Sequence, residues 1–175
     1  ARRQRQMCIR DRYMDIAYRR GIGDILAEGI AYASKYFNAE DYAIHIKGLD
    51  IPAYDPRGVV GMAIAYATAD RGGDHLRAWT VAAEVTSRPT MEDLIKLVIL
   101  LQNRNAALWT LVACDNIVSN SVKPPEPMIE LYVKMLNTLG FNYTMEEFLK
   151  LGERIYNLTR LFLSLIHISE PTRPY

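Results

Sequence analysis

The chain has 175 residues, half of them hydrophobic, with 21 lysines and arginines against 20 aspartates and glutamates. That is about one domain's worth of chain, enough for a sizeable core. It contains no uncharged apolar run of membrane-spanning length, since LIKLVILLQN is flanked by Glu92, Asp93 and Arg104.

The two ends do not resemble the middle. In one permitted codon set MCIRDR (residues 7–12) is the reverse complement of the DNA encoding LSLIHI (residues 163–168), and both resemble translated sequencing-adapter DNA. Residues 1–12 and 163–175 are therefore read as an adapter-like artefact and left out of the fold argument. Over residues 13–162 there remain 15 basic and 18 acidic side chains, a net charge of about −3. The basic N-terminal arm that would suggest nucleic acid disappears with this exclusion. Cys114 is then the single cysteine, no internal disulfide can form, and a cytoplasmic location is the default.

From Tyr13 the apolar spacing is helical, interrupted by Gly-Ile-Gly at 21–23. The alternating run YAIHIK (42–47) predicts a short strand with Tyr42, Ile44 and Ile46 on one face and His45 on the other. GLDIPAYDPRG (48–58) has two prolines and reads as an irregular loop in which Tyr54 and Asp55 are conformationally restricted. A small-residue helix is expected over 59–70, then the corner RGGDHLRA (71–78), then a helix through WTVAAEV. Thr90, with Glu92 and Asp93 behind it, predicts an N-cap for the most hydrophobic helix, LIKLVILLQNRNAALWTLVAC. After the KPPEP break, MIELYVKMLNTLG should be a helix stopped by Gly140, and Thr144 with Glu147 should form a capping box opening a last helix that runs into Phe162. The expected fold class is mainly α.

Chemistry concentrates at the corner. Taken alone, Gly72-Gly73-Asp74-His75 is either a helix-connecting turn or a histidine held at the lip of a cleft by arginines and backbone amides, suited to an anionic ligand and proton transfer. Cys114 is either a small buried hydrophobe or a ligand completed by residues elsewhere, because no CxxC partner is present. Lys47, Asp50, Asp55 and Arg57 flank the rigid loop as solvated charges or as a docking or clamping surface. No Ser-His-Asp order, phosphate loop or HExxH occurs.

The motifs GIGDILAEGI, AIHIKGLDIPAYDPRG, GMAIAYATADRGGDHLRA, a lone downstream cysteine and LGERIYNLTRLF follow one another in this order. Together they resemble the C-terminal half of the aldehyde ferredoxin oxidoreductase family, over residues 13–162. The resemblance implies the helical C-terminal domains of such a protein, preceded by a β-rich N-terminal part of the same chain. It implies a tungsten (or molybdenum) bis-pterin, a 4Fe-4S cluster, and oxidation of a small-molecule aldehyde with electrons passed to ferredoxin. Nucleic acid and membrane are not among the implied partners, and a homodimer is in keeping with the family. By position, His75 would be the histidine near the metal, Arg71 and Arg77 partners of the anionic cofactor, and Cys114 the fourth cluster ligand. Trp109 stands where the family places an acidic, pterin-contacting residue. Asp115 follows the cysteine where the family tends to be basic. Trp109 is the feature that favours the alternative, a noncatalytic helical scaffold or interaction subunit.

Overall fold

Glycines divide the first part of the chain. The structure, a computed structural model, describes residues 2–113 and 126–169. It opens with α1 (Arg2–Ala17), α2 (Ile22–Ala27) and α3 (Ile30–Tyr36). Gly21 and Gly29 precede α2 and α3 with φ of 54° and 86°, a region that residues with a Cβ rarely enter. Gly23 is needed for another reason: a Cβ there would meet the Asp15 backbone, so α1 and α2 cross closely only without one. The break at 21–23 follows the sequence pattern, whereas the break at Gly29 splits what reads as a continuous helix.

The alternating run at 42–47 forms less strand than its pattern predicts. Only His45–Ile46 (β1) pairs, antiparallel with Leu49–Asp50 (β2), His45 opposite Asp50 and Ile46 opposite Leu49. Between them Lys47 and Gly48 have φ of 53° and 80°, the two-residue hairpin geometry that matches strand twist. Glu40–Tyr42 closes a 3-10 turn instead. Tyr42 thereby leaves the strand, and Tyr42 and Ile44 are both exposed.

Two compact units result: residues up to Ala53 with Arg71–Asp74, and Tyr54–Asp70 with His75 onward. The second contains α4 (Val60–Thr68), a 3-10 turn (His75–Arg77), α5 (Val81–Ser87), α6 (Met91–Trp109), α7 (Glu126–Thr138) and α8 (Met145–Ser169). Two of its helices, α6 and α8, start where the caps predict. The Asp93 N–H donates to Thr90 Oγ1 at 3.2 Å. Thr144 and Glu147 form the reciprocal box, Glu147 N–H to Thr144 Oγ1 at 3.2 Å and Thr144 N–H to Glu147 Oε2 at 2.8 Å. These Thr144 bonds favour the ionised form and hold the Glu147 carboxyl below its ordinary value. Gly140, at φ 92°, turns the chain after α7, and the Phe141 N–H returns to the Leu136 carbonyl at 3.1 Å.

The helix marked by the hydrophobic run LIKLVILL, α6, is the spine of this unit. Ala107 and Leu108 pack with Met128, Ile129, Tyr132, Val133 and Leu136 of α7 and Phe148 of α8. Further along, Val98 and Leu101 pack with Ala65 of α4 and Ala78. Gly152 lets α8 approach α6 closely, since a Cβ there would strike the Asn103 carbonyl. The helix stops at Trp109, sooner than its hydrophobic pattern: Thr110 caps it and Val112 takes φ 55°. Cys114 and Asp115 lie outside the described residues. Among those described, no helix is long and apolar enough to cross a membrane.

Candidate functional site

The corner at 71–78 is fastened at both feet. After α4 ends at Thr68 the chain extends through Ala69, which places Asp70 opposite Arg77. These two side chains pair while only 10% and 12% exposed, and Arg77 Nη2 donates to Asp70 Oδ2 at 2.6 Å. The Arg77 guanidinium lies over the Trp109 ring, its Cζ 3.8 Å from the centroid. A buried ion pair gains little net stability because desolvation opposes attraction, yet removing one partner costs about 3–5 kcal/mol. The stack on an indole contributes about 0.5–2 kcal/mol more.

Trp109 belongs to a hydrogen-bonding seam on α6. Gln102, Asn105 and Trp109 recur on α6 at the i, i+3, i+7 spacing of a single face. Gln102 Nε2 donates to Thr68 Oγ1 at 2.7 Å, and Asn105 Nδ2 donates to the Leu76 carbonyl at 2.5 Å. Asn105 is itself fixed by Arg104 Nε, which donates to its Oδ1 at 2.9 Å. From α8 the Tyr156 hydroxyl donates to the Thr68 carbonyl at 2.7 Å. Burial pushes that phenol above its ordinary pKa, with the nearby Asp70 carboxylate acting in the same direction. Each backbone foot of the corner is thus tied to a packed helix.

His75 opens the 3-10 turn between those feet and is half-buried. Its ring lies 5.7 Å from that of Tyr54, centroid to centroid, and Tyr54 lies 6.2 Å from Trp79. Tyr54 is held by the loop: its carbonyl accepts the Tyr66 hydroxyl at 3.3 Å, and it precedes a compact Asp55-Pro56-Arg57 turn. There the Asp55 carboxylate accepts from the Arg57 backbone N–H at 2.9 Å and from Arg57 Nε at 3.0 Å. These bonds, the side-chain ones foremost, draw the Asp55 carboxyl down to about 2. Asp55 and Arg57 are exposed and serve each other. The residue the loop delivers to the histidine is Tyr54. The sequence marks it only by its place in a proline-stiffened loop, and nothing in its spacing pairs it with His75.

Arg71 and Asp74 belong to the other unit, where Asp74 is 7% exposed and Arg71 keeps half its side chain accessible, at 53%, while paired with Asp74. The intervening glycines serve the hairpin. A Cβ on Gly72, whose φ is 115°, would run into the Ile46 carbonyl and come within 3.2 Å of Leu49 Cβ. One on Gly73 would lie 2.7 Å from the Leu49 carbonyl and 2.9 Å from Ile51 Cγ2. Of the four residues singled out by the sequence, His75 and Arg77 share one 3-10 turn, Arg71 falls in the other unit, and Cys114 is outside the described residues. Among the described residues no three His, Cys, Asp or Glu side chains group as a metal site. The Arg71 guanidinium is half-exposed beside Asp74, whereas Arg77 is turned inward against Asp70 and Trp109.

Comparison with known proteins places the chain in a family. The family model for aldehyde ferredoxin oxidoreductase, domains 2 and 3, matches residues 6–170. The tungsten-containing aldehyde ferredoxin oxidoreductase of Pyrococcus horikoshii is 36% identical over 155 residues, covering 84% of this chain and 24% of that protein. Those of Thermococcus kodakarensis and Pyrococcus furiosus are 34% and 35% identical over 155 residues, with 84% of this chain and 25% of each relative covered. The chain thus spans about a quarter of the length of these relatives.

Proposed function

The chain belongs to the aldehyde ferredoxin oxidoreductase family, and from that premise we propose that it is part of an enzyme oxidising aldehydes to carboxylic acids with ferredoxin as electron acceptor. His75 carries the reading: a half-buried imidazole, set in a turn whose feet are fastened, against the Tyr54 ring. Converting an aldehyde and water to an acid releases two electrons and two protons. An imidazole is suited to accept such a proton near neutral pH and pass it to solvent. Tyr54 flanks the ring at 5.7 Å between centroids. When bound, a tungsten (or molybdenum) bis-pterin supplies the two-electron redox chemistry. Arg71 is assigned to the anionic groups of that cofactor, while Arg77 serves it through the turn it holds. Cys114 is assigned as one thiolate ligand of a 4Fe-4S cluster, the other ligands coming from the N-terminal part of the same polypeptide.

The test is the full-length polypeptide, produced anaerobically with tungstate and assayed for aldehyde-dependent reduction of a viologen dye. Activity with bound tungsten is expected, and His75→Ala should lower kcat by about 10²–10⁴-fold at unchanged tungsten content. A tungsten-loaded wild-type protein that transfers no electrons from any aldehyde would overturn the reading. Trp109 favours a second reading, a noncatalytic scaffold or interaction subunit, because an indole stacked on Arg77 occupies the place of an acidic pterin contact. On that reading the full-length protein retains no tungsten.

A further inference from the structure

We infer that Asp70, Arg77 and Trp109 form a positioning device whose task is to hold His75 against Tyr54, beyond any contribution they make to folding. The inference rests on the reading of His75 as the proton-accepting residue. Asp70 and Arg77 bracket the corner, and Arg77 lies two residues from His75 in the same 3-10 turn. Fixing the guanidinium between a carboxylate and an indole therefore fixes the rotation of that turn. Asn105 fixes its translation through the Leu76 carbonyl, the residue between His75 and Arg77.

A buried charge pair is a poor way to gain stability, since apolar residues of similar volume usually serve as well or better. What it provides is direction. The charge-assisted bond and the ring face each accept the guanidinium in a narrow range of orientations. An apolar contact would let the turn slide. Trp109 completes the arrangement: where an acidic residue would compete with Asp70 for Arg77, the indole binds the guanidinium face and leaves its edge to Asp70. The device lies wholly within one unit, as do His75 and Tyr54.

The experiment uses the 175-residue chain and the proton NMR cross-peak between the His75 imidazole and the Tyr54 ring, assigned with His75→Gln. Replacing the pair by apolar residues, Asp70→Leu with Arg77→Met, should leave the unfolding midpoint equal or higher while the cross-peak falls to about a third or less, the signature of a shift approaching 1 Å. A folded double variant with the cross-peak at wild-type intensity overturns the inference. Should the double variant not fold, Trp109→Leu decides in the same way. A weakened cross-peak in a variant that still unfolds cooperatively supports the device, even with the midpoint lowered by loss of the indole stack, and an unchanged cross-peak overturns it. Neither readout involves turnover, so the inference can fail while the proposed activity stands, and the reverse.

Discussion

Asp55 shows how a single residue can be strongly perturbed without belonging to the site. Its carboxyl is drawn down to about 2 by Arg57, two positions along the same loop. The folded value lies below the ordinary one, so whatever the pair contributes is complete above the unfolded-state value near 4 and is lost as pH falls through about 2. Carbon-detected NMR titration of Asp55 should give a midpoint near 2 in the wild type. Arg57→Gln should return it towards the ordinary carboxylate range, with little change in stability at neutral pH because both groups are exposed. At this scale the sequence was informative about identity and silent about partners. His75 and Arg77 stand out because charged residues crowd a glycine corner. Tyr54 does not, because its approach to His75 depends on a loop whose path no local spacing encodes. Arg77 looks like an open cation until the fold supplies Asp70 and Trp109.

The elements divide along the same physical line. Thr90, Thr144 with Glu147, and Gly140 act within one turn of helix, and each does what its position predicts. The run at 42–47 misleads because alternation alone does not reveal that Lys47-Gly48 would tighten the hairpin or that residues 40–42 would coil. On α6, the i, i+3, i+7 recurrence of Gln102, Asn105 and Trp109 was present in the sequence but hidden beneath a stronger apolar period. Gly152 carries the most direct test of packing at this scale. It lies inside α8, where alanine would normally be the better helix former by about 1 kcal/mol. Here Gly152→Ala should instead destabilise by about 1–3 kcal/mol, because the added methyl meets the Asn103 backbone, which cannot swing away. A lower urea midpoint would confirm that α6 and α8 approach through the glycine. A higher one would show helix propensity prevailing and the crossing able to relax.

For the whole molecule, the issue is which residues the fold uses. The terminal segments do form helix: α1 begins at Arg2 and α8 continues to Ser169, and the family match takes in residues 6–12 and 163–170. Helix alone does not make a segment part of a fold, since an isolated helical end gains little without a buried face. Residues 8–14 are all exposed, as are Leu161, Phe162 and Leu165 near the far end of α8, whereas Asp15, against Gly23, marks where packing begins. The reading of both ends as adapter-like therefore predicts that a chain trimmed to residues 13–162 keeps its thermal midpoint within about 2–4 °C, the shift that about 1 kcal/mol produces in a domain of this size. Its charge should change far more than its stability. Against +1 for the intact chain, the trimmed one carries about −3, so at pH 7 it should pass through a cation exchanger that retains the intact chain by its arginine-rich N-terminus. Retained stability with altered ion-exchange behaviour would assign the fold to the central segment and the basic character to the ends. A loss of many degrees would instead show that the terminal helices are built into the packing, and the net-acidic reading of the molecule would have to be withdrawn with them.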